Sequence, residues 1–159
     1  MVKITIISVG TLKEDYLRDA ISEYKKRLSQ YARVEEINIK EEAIRNEDDG
    51  SEISRALSLE GDKILSALPR DARKIALCVE GKQYDSVELA NVIGEANDEC
   101  GKLALVIGSS HGLADKVKSA CDRRISFSKM TFPHQLFRIM LLEQIYRSFK
   151  IEEGSKYHK

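Results

Sequence analysis

The chain has 159 residues, of which 42% are hydrophobic and 33% are charged, with only 9 glycines and 2 prolines. This composition excludes disordered, collagenous and repeat proteins, and the length suits a single domain over residues 1–159. Basic and acidic residues balance at 26 each, which excludes a uniformly basic nucleic-acid-binding protein. The sequence shows no cleavable signal and no run of 18 apolar residues, so we expect a cytoplasmic protein with no membrane partner.

Strand-like and helix-like segments alternate in the first half of the chain. The β-branched run Val2–Val9 predicts a strand, and apolar residues then recur at helical spacing over Leu12–Leu28. Val34–Ile39 alternates in polarity and predicts a second strand. The acidic segment Lys40–Gly50 has no period and predicts a mobile surface loop. A helix follows over Ser51–Leu68, with Ser51 as its capping residue and a proline directly after its end.

The same alternation continues in the second half. Ile75–Val79 predicts a strand, and a helix opens at Asp85 or Ser86 and runs to about Glu99. Leu103–Ile107 predicts a buried strand, and a short helix follows over Leu113–Ala120. Strands separated by helical crossovers indicate an α/β fold with a mostly parallel sheet of about five strands and flanking helices.

The last third ends in a long helix. Ile125–Ser128 predicts the fifth strand, and a helix begins near Thr131, with Pro133 in its first turn, and continues through Phe149. Apolar residues cover more of this helix than one core face requires. They are Leu136, Phe137, Ile139, Met140, Leu141, Leu142, Ile145, Tyr146 and Phe149. Either the helix is buried deep in its own core, or its second face forms a homodimer interface.

The balanced charge is unevenly distributed. Residues 116–159 carry 10 basic and 4 acidic side chains, whereas residues 35–62 carry 3 basic and 10 acidic ones. The basic region is either a solvated surface that balances the acidic region or a surface that contacts the phosphates of a nucleic acid. Position in the sequence does not distinguish these two interpretations.

In a parallel sheet, ligands bind outside the carboxyl ends of the strands, so the loop Gly108–Gly112 is a candidate site. Its small residues and free backbone amides suit a flat or anionic ligand. The loop also matches G-x-S-x-G, which would make Ser110 the nucleophile of an acyl hydrolase. The base would be His134 or His158, and the orienting acid Asp115 or Asp122. The histidines and cysteines form no metal-binding motif.

Three segments near the C-terminus carry a family resemblance. They are SFSKMTFPHQ at Ser126–Gln135, EQIYR at Glu143–Arg147 and the terminal YHK at Tyr157–Lys159. With these segments, and with YKKRL at Tyr24–Leu28, the chain resembles the ribosomal RNA large subunit methyltransferase H family over essentially its whole length. The resemblance implies a SPOUT-type fold with a C-terminal trefoil knot, working as a homodimer. It also implies methyl transfer from S-adenosylmethionine to N3 of a pseudouridine in helix 69 of 23S rRNA, on the assembled 70S ribosome.

The resemblance also implies roles for individual residues. The cofactor would be held by Leu77, Gly108, Phe127, Ser128, Lys129, Met130, Thr131 and Phe132. His158, Tyr157 and Arg147 are the candidate catalytic residues, and Lys129 and Arg138 would hold RNA phosphate. No metal is expected, because methyl transfer from a sulfonium needs alignment and removal of a proton. The family loop usually has a second glycine where this chain has Ser109, and a small polar residue where it has His111.

Overall fold

A computed structural model describes residues 1–159, in which five strands alternate with five helices. In chain order the elements are β1 (Val2–Val9), α1 (Asp15–Leu28), β2 (Ala32–Ile39), α2 (Gly50–Ala67), β3 (Arg73–Gln83), α3 (Ser86–Glu99), β4 (Lys102–Ile107), α4 (Asp115–Ala120), β5 (Arg123–Ser126) and α5 (His134–Glu152). No helix is long and apolar enough to cross a membrane.

The five strands form one sheet in the order β2-β1-β4-β3-β5, and every neighbouring pair is parallel. The predicted α/β fold with a mostly parallel five-stranded sheet and flanking helices is therefore confirmed. The trefoil knot stays a prediction. Because all strands run the same way, their carboxyl ends and the loops that follow them meet along one edge of the sheet.

The sheet is buried on both faces, which explains why β1 reads as an almost continuous apolar run. Successive side chains of a strand point to opposite faces. Ile4 and Ile6 belong to a core that includes residues of α1, α3 and α5, whereas Ile7 and Val9 belong to a second core with residues of α2 and α4. Burying each of these side chains contributes about 1.5–3 kcal/mol.

The pairing of β3 with β5 is interrupted. Residues 75–77 of β3 pair with residues 123–125, and pairing resumes with Lys82 beside Ile125. The four residues between bulge out, and Gly81 there packs so closely that a Cβ would lie 2.8 Å from backbone atoms of Arg124 and Ile125. The predicted strand Ile75–Val79 does not include the pairing after the bulge. A bulge that follows an apolar run has the same sequence pattern as the end of a strand.

Three predicted helix starts are wrong by a few residues. The cap of α2 is Asp49, whose carboxylate accepts from the backbone N–H of Ser51 at 2.9 Å and of Glu52 at 3.3 Å. A charged cap satisfies these groups and also interacts favourably with the helix dipole, so it replaces Ser51 in that role. Helix α4 begins at Asp115, because the backbone of the preceding Ala114 is extended, with a ψ of 145°. Helix α5 begins at His134, with Pro133 as its capping residue.

Candidate functional site

A cavity of about 660 Å³ opens at the carboxyl ends of β3, β4 and β5. It is bounded by the β3 bulge, by the loop after β4 and by the loop between β5 and α5. Its lining comprises residues 77–80, 107–112, 126–128 and 130–134, together with Phe137. The volume lies in the range of small-molecule and cofactor sites.

The cavity brings together seven of the eight residues predicted to hold the cofactor. They are Leu77, Gly108, Phe127, Ser128, Met130, Thr131 and Phe132. The eighth, Lys129, is exposed and is not part of the lining. Three segments far apart in the sequence therefore converge on one cavity.

The loop after β4 is closed so tightly that its first position must be glycine. A Cβ on Gly108 would lie 2.2 Å from the carbonyl oxygen of Gly112. The backbone N–H of Gly112 donates to the carbonyl of Ser109 at 2.9 Å, and Gly112 has a φ of 88°. Any side chain at Gly108 would displace the loop, so this residue brings the main chain to the cavity surface.

The cavity contains few charged groups. Glu80 is paired with the Lys118 ammonium at 2.7 Å, which lowers the pKa of the carboxyl. Burial raises the pKa of the Cys78 thiol, which therefore stays neutral at neutral pH. His111 and His134 are the other ionisable lining residues. A cavity of this kind recognises its ligand by shape and backbone hydrogen bonds rather than by charge.

The loop between β5 and α5 is folded by its own serines. The Ser126 hydroxyl donates to the Ser128 carbonyl at 2.9 Å, and the backbone N–H of Met130 donates to the Ser128 hydroxyl at 3.0 Å. The ring of Phe127 packs on that of Phe137 in α5, with centroids 4.7 Å apart. The segment therefore turns sharply at the cavity wall.

A second group of side chains, which includes the candidate catalytic residues, lies further along α5. We call Glu143, Arg147, Tyr157 and His158 the tail cluster. The Arg147 guanidinium donates to Glu143 Oε1 from Nη2 at 2.7 Å and from Nε at 3.1 Å. The Tyr157 hydroxyl donates to Glu143 Oε2 at 3.0 Å, and the Arg147 guanidinium lies 4.8 Å from the Tyr157 ring centroid. Glu143 therefore holds both neighbours.

The chain after α5 folds back to form this cluster. Gly154 has a φ of 67°, a conformation that glycine adopts without strain. The backbone N–H of Ser155 donates to the Lys150 carbonyl at 3.0 Å, and the Tyr157 N–H donates to the Ser155 hydroxyl at 3.2 Å. The Tyr157 ring then meets Tyr146 edge to face, with centroids 5.2 Å apart. The C-terminal tail is thus packed against α5.

Glu143 also affects the ionisation of two tyrosines. Burial, and then the hydrogen bond to Glu143, raise the pKa of Tyr157. The same two causes raise the pKa of Tyr24, on the adjacent α1, to about 12. Both phenols therefore remain protonated donors at neutral pH. Glu143 was missing from the predicted catalytic residues, although its spacing of four residues from Arg147 on a helix is a signal of side-chain contact.

His158 is oriented by Arg147. The guanidinium Nη1 lies 3.3 Å from His158 Nδ1. Because arginine has only donors, Nδ1 must act as the acceptor, and the neutral ring then carries its proton on Nε2. His158 is exposed, so it presents a hydrogen-bond donor to the surroundings.

The tail cluster does not reach the cavity of its own chain. Arg147, Tyr157 and His158 are absent from the lining, which includes Phe137 on α5. Arg147 lies ten residues further along this helix, a rise of about 15 Å. The structure therefore places the residues predicted to hold the cofactor and the catalytic candidates in separate regions of one chain.

The two predicted phosphate contacts have different surroundings. Arg138 is only 4% exposed, and its Nη2 donates to Glu36 at 2.9 Å while Lys25 reaches the other oxygen of that carboxylate at 3.2 Å. Its Nε is buried without a partner. This geometry favours a structural role for Arg138 between α5 and β2. Lys129 is exposed.

The alternative acyl hydrolase finds no support in the geometry. Asp122 accepts from the Lys74 N–H at 2.7 Å, Asp115 is paired with Lys118 at 3.3 Å, and neither contacts a histidine. No histidine is bonded to Ser110 in residues 1–159. Helix α4 begins five residues after Ser110, so the serine does not lie on a sharp strand-to-helix turn. No group of three metal-ligating side chains occurs in residues 1–159 either.

A parallel α/β sheet with a weakly charged cavity at its carboxyl edge is typical of enzymes that bind a nucleoside-type ligand. A family model described as "Predicted SPOUT methyltransferase" matches residues 2–158. The ribosomal RNA large subunit methyltransferase H of Exiguobacterium sp. is 45% identical over 98% of this chain and 99% of its own. The protein of the same name from Caldicellulosiruptor saccharolyticus is 44% identical over the same shares.

The chain belongs to the ribosomal RNA large subunit methyltransferase H family of SPOUT methyltransferases. Its fold is also similar to a crystal structure from Bordetella pertussis Tohama I, described as a probable methyltransferase. The TM-score is 0.59 and the identity 15%, over 91% of this chain and 93% of the other. At that identity the likeness concerns the fold alone.

Proposed function

We propose that this chain methylates N3 of a pseudouridine in helix 69 of 23S rRNA, using S-adenosylmethionine, in the cytoplasm and on the assembled 70S ribosome. The observation that carries this proposal is the cavity, which joins Gly108 to the segment from Phe127 to Phe132 in a chain of this family. Two relatives bear the name of an rRNA methyltransferase.

The residues of the cavity fit the cofactor. The glycine at each end of residues 108–112, which line the cavity, leaves the main chain there open to a flat adenine. Leu77 and Phe127 offer apolar contact, and the scarcity of charged side chains suits the flat, uncharged adenine ring. Bound there, S-adenosylmethionine supplies a methyl group on a positively charged sulfur.

The tail cluster provides the other half of the chemistry. The N3–H of pseudouridine is weakly acidic, so a nearby cation that stabilises the anion assists loss of the proton to solvent. Arg147 supplies that cation, held in orientation by Glu143. His158, with its proton on Nε2, donates a hydrogen bond to a carbonyl of the base. Tyr157 supplies an aromatic face for stacking, as is common where proteins bind unpaired RNA bases.

A homodimer brings the two halves together. Methyl transfer requires reacting atoms about 3 Å apart, far closer than the tail cluster lies to its own cavity. Met130, Phe132 and Leu136 are large apolar side chains exposed at 73%, 37% and 42% beside the cavity. Exposed apolar groups of this kind mark interaction surfaces. A second copy docked on this surface would place its tail cluster over the first copy's cavity.

The direct test is methyl incorporation into ribosomes that lack the modification. Tritium-labelled S-adenosylmethionine is incubated with 70S ribosomes, isolated large subunits or free 23S rRNA, and the product nucleoside is identified by mass spectrometry. We expect labelled N3-methylpseudouridine from 70S ribosomes only. Label in another nucleoside, or equal label in free rRNA, would contradict the proposed target.

The shared site has its own test. Gly108→Ala disables the cavity and Arg147→Ala disables the tail cluster, so each homodimer should be inactive. Coexpression with two affinity tags yields heterodimers in which one cavity faces one intact tail cluster. Half of a randomly paired population is heterodimer, and each heterodimer has one working site out of two. The mixture should therefore recover about a quarter of wild-type activity. Purified heterodimers without activity, or a monomer in sedimentation at micromolar concentration, would contradict the shared site.

A further inference from the structure

A carboxylate from outside the cavity holds the loop that lines it. We call residues 108–112 the glycine loop and residues 40–49 the acidic segment. Glu47 Oε2 of the acidic segment lies 2.6 Å from His111 Nε2 of the glycine loop. The His111 side chain is 24% exposed, and Glu47 does not line the cavity. The contact therefore joins the cavity wall to a segment with no other role in the site.

The acidic segment is fixed on α2. Glu52 Oε1 accepts from the Arg45 N–H at 2.6 Å, and its Oε2 accepts from the Asn46 N–H at 3.1 Å. At the other end, the Glu42 N–H donates to Glu60 Oε2 at 2.9 Å. The sequence predicts a mobile loop here, whereas the structure shows a loop bonded along its length. Glu47 thus reaches His111 from a well-supported backbone.

The path of the acidic segment explains how it reaches the glycine loop. It leaves β2, and the glycine loop follows β4, with β1 between these strands. At the usual strand spacing it must cross about 10 Å. It passes Gly10 at the end of β1, where a Cβ would lie 3.9 Å from the Glu41 carboxylate and 3.3 Å from the His134 ring. The acidic segment therefore lies beside the end of β1.

The glycine loop also holds His111 from within. Ser109 is 8% exposed, and its hydroxyl accepts from the His111 N–H at 3.3 Å. The loop therefore holds the backbone of His111, while Glu47 contacts its ring.

We propose that Glu47 is a positioning residue for the cofactor site: through His111 it holds the glycine loop in the conformation that binds the cofactor. Only the identity of that cofactor rests on the proposed function. Glu47 touches no ligand in this arrangement, so it acts on the affinity of the site and not on the transfer step. The contact is partly exposed, so its effect is modest and decreases with ionic strength.

The test compares Glu47→Gln with Asp48→Asn, which removes a neighbouring charge whose carboxylate bonds nothing. We expect Glu47→Gln to speed amide hydrogen exchange in residues 108–112 of the unliganded protein and Asp48→Asn to leave it unchanged. The Kd and KM for S-adenosylmethionine should rise by roughly two- to fivefold at unchanged kcat in Glu47→Gln. His111→Asn should have the same effect, and the double variant no larger one.

The outcomes separate this inference from the proposed function. Unchanged exchange in the glycine loop of Glu47→Gln would overturn the positioning role, whatever the protein binds. A wild-type protein that binds no S-adenosylmethionine would overturn the proposed function, and the exchange result would still decide the role of Glu47. A fall in kcat at unchanged KM would also contradict the inference, because it would place Glu47 in the transfer step.

Discussion

The cavity and the tail cluster lie at opposite ends of α5 and are built by opposite means. The cavity is shaped by main chain and small residues, and its tightest point is Gly108, where an added Cβ would lie 2.2 Å from the Gly112 carbonyl oxygen. The tail cluster consists of long polar side chains that hydrogen-bond to one carboxylate, Glu143. The cavity is an open volume between main-chain segments, whereas the tail cluster is a set of charged and polar side chains held in fixed orientations.

Under the proposed function, this difference corresponds to a division of labour. A cavity with few unpaired charges can distinguish ligands by shape, but it offers no group that would stabilise an anion on RNA. The tail cluster offers a cation and several donors, but no enclosed volume. Substitutions in the cavity should therefore change ligand affinity, and substitutions in the tail cluster should change the transfer rate.

The largest expected effect is that of Gly108→Ala. The added methyl group cannot fit between the loop and the Gly112 carbonyl, so the backbone of the glycine loop must move by an ångström or more. We expect S-adenosylmethionine binding, measured by calorimetry, and methyl transfer to fall by at least about a hundredfold.

The matched control is Gly50→Ala. Gly50 begins α2, and a Cβ there would have no atom within 4 Å. Binding and activity should equal those of the wild type, and Tm should change by about 2 °C or less. If Gly108→Ala bound the cofactor normally, the cofactor site would not be this cavity, and the contrast between the cavity and the tail cluster would not hold.

The next effect is that of Glu143→Gln, which keeps the size of the side chain and removes its charge. Arg147 and Tyr157 lose their common acceptor, so we expect kcat to fall by about ten- to a hundredfold at unchanged affinity for S-adenosylmethionine. Glu153→Gln removes a carboxylate that pairs with Lys150 just beyond the helix, and should be close to neutral. A change in cofactor affinity alone would contradict the division of labour.

The same substitution has a signature in tyrosine titration. Glu143 raises the pKa of Tyr24, which is about 12, but burial is the larger cause. In Glu143→Gln the pKa should move down towards 10 without reaching it. A raised tyrosine pKa stabilises the fold below pH 10, and this stabilisation is lost as the pH rises through 12. The variant should lose it at lower pH, as measured by ultraviolet absorbance and thermal unfolding across this range.

Much of the cavity could be predicted from the sequence, because its residues lie at strand ends. Gly108 follows an apolar run and Phe127 follows another, and parallel strands bring such ends to one edge. The β3 bulge could not be predicted, because it depends on the backbone contact between Gly81 and β5, residues more than forty positions apart. Long-range packing of this kind leaves no local pattern.

The charged residues were harder to predict than the apolar ones. Arg138 and Lys129 look alike as basic residues in a basic region, yet one is buried against Glu36 and the other is exposed. Glu36 precedes Arg138 by 102 positions, so no sequence window contains both. The segment charges therefore indicate a polarised surface without showing which side chains form it.

The smallest expected effect is that of a substitution at Lys129, which belongs to neither region. Its side chain neither lines the cavity nor joins the tail cluster, although it lies in the loop between β5 and α5. If Lys129 contacts an rRNA phosphate, Lys129→Gln should weaken ribosome binding by roughly two- to fivefold and reduce the slope of log K against log salt by about 1. Cofactor affinity and kcat at saturating ribosomes should not change. An unchanged slope would show that Lys129 does not contact an rRNA phosphate. Weaker binding of the cofactor would show that Lys129 contributes to the cavity.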